Sequence, residues 1–226
     1  MRTLRFGLVV LLACLLAPSL HAQASRTVSR SFELAADGTV ALESYKGRVD
    51  VQTWERDRAR VEVTIEEEDQ AKVDATNIRF DADSDRLEIE TDYDELKDDQ
   101  KLFGLFSFGS IDRPSTDYTL TIPRTADLTV DTYNAVTSVE RLKGDVTFDA
   151  YSAPLTVERL TGRLHADTYS GDVEVGRLDG PLTADTYSGT LRADSVAGPV
   201  EFSTYSGSAT LGFAALIDDC RFDSYS

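Results

Sequence analysis

The chain has 226 residues, with 40 acidic against 23 basic side chains and a formal net charge of −17. That length allows one or two modest domains with a real core, and an apolar content of 41% excludes a wholly disordered acidic polymer. So negative a surface is a poor partner for nucleic acid, and downstream of the amino terminus no apolar run reaches the roughly 20 residues of a membrane-spanning helix.

Residues 1–24 have the layout of a secretory signal: Arg2 and Arg5, an apolar stretch from Phe6 to Ala17, Pro18, then small residues at Ala22 and Ala24. Cleavage is expected after Ala22 or Ala24, leaving no transmembrane segment. Leu15 and Leu16 continue the apolar run past Cys14, which argues against Cys14 as a lipid-bearing residue. The mature chain keeps Cys220, which has no partner for an internal disulfide and is expected to be a buried, inert thiol.

Residues 25–127 are strand-like and irregular. Val40, Leu42 and Ser44 lead into Tyr45-Lys46-Gly47-Arg48-Val49-Asp50-Val51, and alternation marks Val61–Ile65, Leu87–Thr91 and Tyr118–Ile122, the last closed by Pro123. This region is expected to cap or extend the more regular carboxyl-terminal part of the chain. Asp81, Asp83 and Asp85 imitate the start of an EF-hand loop, but Arg86 stands where that loop needs glycine. The segment Lys101–Ser110 places Phe103, Phe106 and Phe108 among Gly and Ser. It is expected either to fold over the core or to dock a partner.

From residue 128 to 226 the chain repeats. Tyr133, Tyr151, Tyr169, Tyr187 and Tyr205 succeed one another at 18 residues, and Tyr225 comes after 20. Val139, Val157, Val175, Ala193 and Leu211 keep the same register, as do Leu142, Leu160, Leu178 and Val196, and Gly144, Gly162, Gly180 and Gly198. The glycines are expected to supply sharp corners or positive φ. Ala135 and Ala153 replace the glycine that elsewhere comes after Tyr-Ser, so those two turns are expected to differ. Upstream of each tyrosine, alternate residues such as Val146-Phe148-Ala150 and Leu164-Ala166-Thr168 are small or apolar and must face inward. The intervening aspartates and tyrosines then face outward. A unit of 18 residues cannot bury its own apolar side, whereas copies stacked ~4.8 Å apart bury it continuously. The expected fold is all-β, a β-solenoid of the single-stranded β-helix kind with 18-residue coils and an irregular β-rich cap, with no sustained helix. The chain stops at Ser226, one residue into a new unit, and the natural protein is expected to continue.

Chemistry is sparse. His165 stands at a position occupied elsewhere by Thr147, Thr183 or Glu201 and reads as an exposed repeat variant. Catalytic zinc is held by several His, Cys or carboxylate ligands, and a mature chain with one His and one Cys is a poor match for such a site. Asp131, Asp149, Asp167 and Asp185 form a column of like charges whose repulsion is offset by solvation and hydrogen bonds, or by Ca²⁺ as the weak metal candidate. The same spacing approaches the ~5–5.5 Å carboxylate separation of retaining glycosidases, although a catalytic site is ordinarily one cleft rather than a ladder of equivalents. Tyr133, Tyr151, Tyr169, Tyr187, Tyr205 and Tyr225 are expected to point outward along one edge. They form a structural ladder, or offer flat ring faces and hydroxyls to a protein or glycan.

The signal, the Tyr45–Val51 strand, the Tyr118–Pro123 strand and the serial Tyr-Ser-Gly-Asp-Val units, most complete at Tyr169–Val173, resemble the bacterial DUF4097 group of adhesin-like proteins. That group is similar to the toast-rack and head-GIN β-solenoid domains. The resemblance spans residues 28–226 and implies an exported envelope protein with a right-handed β-helix-like fold and no catalytic residues to carry over. The expected function is a non-enzymatic periplasmic or envelope-associated protein, adhesin-like or a scaffold, whose partner is an envelope protein or glycan. The alternative is a glycan-binding or glycan-cleaving β-helix protein working through its Asp and Tyr ladders.

Overall fold

The computed structural model describes residues 23–99, 112–214 and 220–225; residues 1–22 of the leader and the Phe103, Phe106 and Phe108 segment lie outside them. Among the described residues sixteen strands share one hydrogen-bonded sheet, with two six-residue helices beside it. In chain order the first part comprises β1 (Ala24–Glu33), β2 (Thr39–Trp54), β3 (Arg58–Glu67), α1 (Gln70–Ala75), β4 (Asn77–Ala82), β5 (Arg86–Asp92), α2 (Asp94–Asp99) and β6 (Ser115–Pro123). The alternation read in the sequence is the burial pattern: Ala59, Val61, Val63 and Ile65 of β3 are fully buried, with polar residues between them. The helices were not expected. α1 starts where Asp69 accepts a hydrogen bond from the Ala71 N–H at 2.9 Å and buries only Val73, so it is too short to imprint a helical period. Asp81 lies in β4 opposite Glu88, and Asp83 and Asp85 at the turn between β4 and β5, where the Asp83 carboxylate accepts from the N–H groups of Asp85 and Arg86 at 2.8 Å each.

Two sixteen-residue strands, β2 and β7 (Asp127–Leu142), run parallel and organise the rest. After β7 come β8 (Val146–Ala150), β9 (Leu155–Leu160), β10 (Leu164–Thr168), β11 (Val173–Leu178), β12 (Leu182–Thr186), β13 (Thr190–Val196), β14 (Val200–Thr204), β15 (Ser208–Phe213) and β16 (Cys220–Ser224). They alternate between two parallel ladders. From the first half of β7 the ladder runs through β8, β10, β12, β14 and β16, and from the second half through β9, β11, β13 and β15. Pairing keeps to the repeat: Leu128, Val146, Leu164, Leu182 and Val200 are successive partners in one ladder, and Val139, Val157, Val175, Ala193 and Leu211 in the other. The inward residues of both ladders, Phe148 and Ala166 with Leu160 and Leu178 among them, join one apolar core. Each fully buried aliphatic of this kind contributes ~1.5–3 kcal/mol.

The first part of the chain extends both ladders. β5 pairs parallel with the first half of β2 and carries β4 antiparallel; β6 pairs parallel with the second half and carries β3 and then β1, both antiparallel. Tyr118 of β6 is 1% exposed, and its hydroxyl lies 2.6 Å from Thr91 Oγ1, which in turn donates to the Glu43 carbonyl at 3.3 Å. In that orientation the Tyr118 hydroxyl is the donor to Thr91, and burial pushes the phenol's pKa upward. Tyr118→Phe is expected to lower the urea-unfolding free energy by about 1 kcal/mol with an unchanged slope, the loss of one buried hydrogen bond.

The corners correct one expectation. Positive φ among the described glycines occurs only at Gly47, at 127°. The recurrent Gly144, Gly162, Gly180 and Gly198 are needed for another reason: a Cβ on Gly162 would run into the carbonyl oxygen of Gly144, and one on Gly180 into that of Gly162. Aspartates bond across the same corners, the Asp127 and Asp145 carboxylates accepting from the N–H groups of Asp145 and Arg163 at 2.8 Å each. At the other corners Oγ1 of Thr132, Thr168, Thr186 and Thr204 accepts from the N–H of Ala135, Gly171, Gly189 and Gly207 at 2.7–3.0 Å. Ala135 sits where β7 passes without a break, whereas the chain around Ala153 still bends between β8 and β9.

Cys220 is exposed, contrary to the buried thiol expected from its column. It does pair with Val200 in the inward register, but β16 is the last strand of its ladder among the described residues. Phe213 and Phe222 at the same end are 46% and 50% exposed.

Candidate functional site

The outward residues of the first ladder form a longer acidic row than the four aspartates read in the sequence. Glu90, Glu43, Asp131, Asp149, Asp167 and Asp185 are successive cross-strand partners, with Ser203 and Asp223 continuing the row. Glu43 was within reach, since it precedes Tyr45 by two residues as Asp131 precedes Tyr133. Glu90 carries no such signal, because its strand lacks the tyrosine two residues on. Arg79 meets the row at its Glu90 end, 3.8 Å from Glu90 and 2.5 Å from Asp92. Burial pushes the carboxyl of Asp149 above its ordinary range; Asp167 and Asp131 add to the rise, and His165 opposes it. Glu43 is raised in the same way by burial, Glu90 and Asp131. Among the described residues no group of three or more His, Cys, Asp or Glu side chains is arranged to hold a metal ion.

A raised carboxyl binds its proton more tightly in the folded than in the unfolded chain. The stability it contributes is therefore full below the ordinary value of 3.8 for Asp149 and is lost as pH rises through the raised one. Asp149→Asn is expected to stabilise the protein at neutral pH and low salt by about a few tenths of a kcal/mol. The difference in melting temperature should shrink as the pH falls below 3.8; a difference constant with pH would contradict this origin.

Two residues beyond the acids stand the tyrosines. Rings of Tyr45, Tyr133, Tyr151, Tyr169, Tyr187 and Tyr205 stack at centroid separations of 4.7–5.1 Å and within 6° of parallel. Such stacks contribute ~0.5–1.5 kcal/mol per pair beyond area burial. The guanidinium of Arg113 lies 3.9 Å from the Tyr45 centroid and closes the stack at that end, and Tyr93 meets Tyr45 edge-on at 6.4 Å. The row thus begins earlier than expected, at Tyr45. Among the described residues the stack runs to Tyr205, whereas Tyr225 is 70% exposed and outside it. From Tyr133 to Tyr205 the residues are 44–50% exposed, yet successive rings cover one another's faces. What reaches solvent is ring edges and hydroxyls; of the two readings of the row, the stacked ladder is the one the ring geometry has, and the flat faces are covered.

Between the two rows runs a shallow groove of about 470 Å³ bounded by Glu43, Asp131 and Asp149 on one side and Tyr45, Tyr133 and Tyr151 on the other. It meets a larger concavity of about 680 Å³ at the Glu90 end, where Arg79 and Phe80 form a wall. The groove offers hydrogen-bond acceptors on one bank and phenol hydroxyls on the other, a surface suited to cationic or hydrogen-bonding partners. His165 lies between Thr147 and Thr183 in the adjoining outward column, half-buried rather than the exposed side chain read from the sequence. Phe103, Phe106 and Phe108 lie outside the described residues.

No protein-family model matches the chain, and no curated protein matches it in sequence. Among solved structures it is similar to a "putative adhesin" from Bacteroides fragilis at 11% identity and a TM-score of 0.45, over 88% of this chain and 96% of that one. It is also similar to a "putative cell adhesion protein" from Clostridium sporogenes at 7% identity and a TM-score of 0.42, over 89% and 100% of the respective chains. A "putative lipid binding protein" from Parabacteroides distasonis aligns at 10% identity and a TM-score of 0.28, over 88% and 97%. Identities this low and superpositions this loose transfer no activity to the chain.

Proposed function

We propose that the chain is an exported, non-enzymatic cell-envelope protein of the DUF4097 type, a β-solenoid of 18-residue coils that acts as an adhesin-like or scaffold domain. Its partner, an envelope protein or glycan, is held by the paired acid and tyrosine rows. The observation that carries this function is the common register of the two rows, the acids on successive strands and the tyrosines within β7 and just past the ends of the shorter strands, which turns one chemical pair into an extended repeating surface. A row of carboxylates repeated unit by unit along an open groove supports recognition over catalysis, since a catalytic site is ordinarily one cleft rather than a ladder. Export rests on the leader; β1 begins at Ala24, so cleavage after Ala22 leaves that strand whole. Periplasmic or envelope-associated residence rests on the same leader. No cofactor is needed, and Ca²⁺ bridging successive aspartates is kept as a separate arm of the test.

The test presents the purified chain to detergent-solubilised envelope proteins and to a glycan panel, with Ca²⁺ or with chelator. The comparison is a variant carrying Asp167→Asn, Asp185→Asn and Tyr169→Ala. Saturable binding that weakens about tenfold or more in the variant is expected, measured well below the variant's own melting temperature, which the loss of two ring stacks should lower. Turnover of a glycoside substrate abolished by Asp167→Asn would instead establish the enzyme, and binding indifferent to the variant would remove the rows from the function.

A further inference from the structure

The tyrosine stack holds one oxidisable group in contact with copies of itself. From Tyr133 to Tyr205 successive ring centroids are 4.7–5.1 Å apart and the ring planes lie within 6° of parallel. The backbone beneath fixes that contact. The Tyr169 N–H donates to the Ala150 carbonyl and the Ser170 N–H to the Tyr151 carbonyl, both at 3.1 Å, and the hydroxyls of Ser170 and Ser152 meet at 3.0 Å. Because neighbouring rings are copies related by one rung of the ladder, the carbons beside one phenol oxygen face those of the next. The same tyrosines are 44–50% exposed, so their hydroxyl edges are open to a reagent in solution, whereas Tyr118 at 1% is closed to one.

We propose that the row is a site of oxidative modification, in which a one-electron oxidant such as a haem peroxidase with hydrogen peroxide joins the rings of neighbouring tyrosines into dityrosine and staples successive 18-residue units together. Two phenols each give up one electron and one proton. The two phenoxyl radicals join through the carbons beside their oxygens, and the hydrogens on those carbons move to the oxygens and restore both hydroxyls. The joined pair has lost two hydrogen atoms, whose electrons and protons reduce one hydrogen peroxide to two waters. Stacked rings must turn edge to edge to form the bond, and the half-exposed row leaves their outer edges free to do so while the Cβ atoms stay one rung, ~4.8 Å, apart. Partners already in contact join faster than two copies can meet. The modification uses ring contacts alone and is independent of what the acid and tyrosine rows bind.

The purified chain, carrying Tyr225→Phe so that the exposed ring outside the stack cannot link copies, is treated with a haem peroxidase and hydrogen peroxide, denatured and cut with trypsin. Cleavage after Arg159, Arg163, Arg177 and Arg192 puts Tyr151, Tyr169 and Tyr187 on separate peptides. Dityrosine fluorescence is expected in chains of unchanged molar mass. Mass spectrometry should find Tyr151 joined to Tyr169 and Tyr169 to Tyr187, each pair short of two hydrogens. Oxidation in urea should scatter the links over other tyrosine pairs and between copies, lowering the share of these two pairs severalfold. Tyr169→Phe keeps a stacked ring in place and should abolish both, while Tyr133 still joins Tyr151. Joined chains should unfold at higher urea concentration, since each link closes an 18-residue loop of the unfolded chain. Stacked rings left unjoined by the oxidant, links between copies outnumbering those within a chain, or the same scatter of links with and without urea would overturn the proposal. Joined chains that unfold no later than unjoined ones would overturn the stapling.

Discussion

Phe148→Ala is expected to cost about 3–5 kcal/mol, the range for removing a fully enclosed aromatic side chain. Phe148 is 0% exposed and lies between its ladder partners Val130 and Ala166, the second too small to fill the space a missing ring would leave. Because each unit contacts only its neighbours, the damage should also divide the chain's cooperativity. The urea transition should move to lower denaturant and lose slope, with β10 and later strands gaining hydrogen exchange before β1–β3. Phe202→Ala, one strand from the open end at 4% exposure, should cost less and leave the slope near its original value. Equal effects at the two positions would contradict a core held by neighbour-to-neighbour packing.

Gly162→Ala gives the second large effect, and competing terms decide its sign. Among the described glycines the left-handed conformation is confined to Gly47, so alanine at 162 meets no φ penalty. The stiffer unfolded chain would then stabilise by ~0.4–1 kcal/mol. Against that, the new Cβ is driven into the Gly144 carbonyl oxygen, a backbone atom that can withdraw only by parting two hydrogen-bonded strands. Overpacking of this kind costs ~1–3 kcal/mol, and the rigid neighbour places Gly162 at the upper end of that range. A net loss is expected by urea unfolding, larger for Gly162→Val. A neutral or stabilised Gly162→Ala would mean that the corners are not in contact.

The regular part of the fold was legible because an 18-residue period keeps every side chain in the same environment in each unit. Spacing alone therefore placed Leu164 beside Leu182 and Tyr169 beside Tyr187, and alternation alone turned one pair inward and the other out. Glu43 shares with Asp131 the place two residues before a tyrosine, whereas Glu90 belongs to the acidic row only through the pairing of β2 with β5, strands far apart in sequence, which no local period encodes. The corner glycines were read as sharp turns or positive φ; the chain does bend at Gly144, Gly162, Gly180 and Gly198 but without positive φ, because close approach of two turns and positive φ leave the same mark on a sequence. Cys220 kept to its column faithfully; its exposure depends on what lies over the strand, which a column does not record. A period of 18 shows that the tyrosines are neighbours and left two readings open, a stacked ladder or faces turned to a ligand; the interplanar angles of 1–6° are those of the stack.

The most direct test is a nuclear Overhauser experiment on the chain with labelled tyrosine and backbone amides. Contacts are predicted between the rings of Tyr151 and Tyr169 and between those of Tyr169 and Tyr187, whose centroids are 5.1 and 4.7 Å apart. The amide of Leu164 should show neighbours in both the Val146 and the Leu182 strands. Cross-peaks joining β7, β8, β10, β12 and β14 in antiparallel order, or tyrosine rings without contacts to the ring 18 residues away, would contradict the arrangement of acids and phenols on which the proposed function rests.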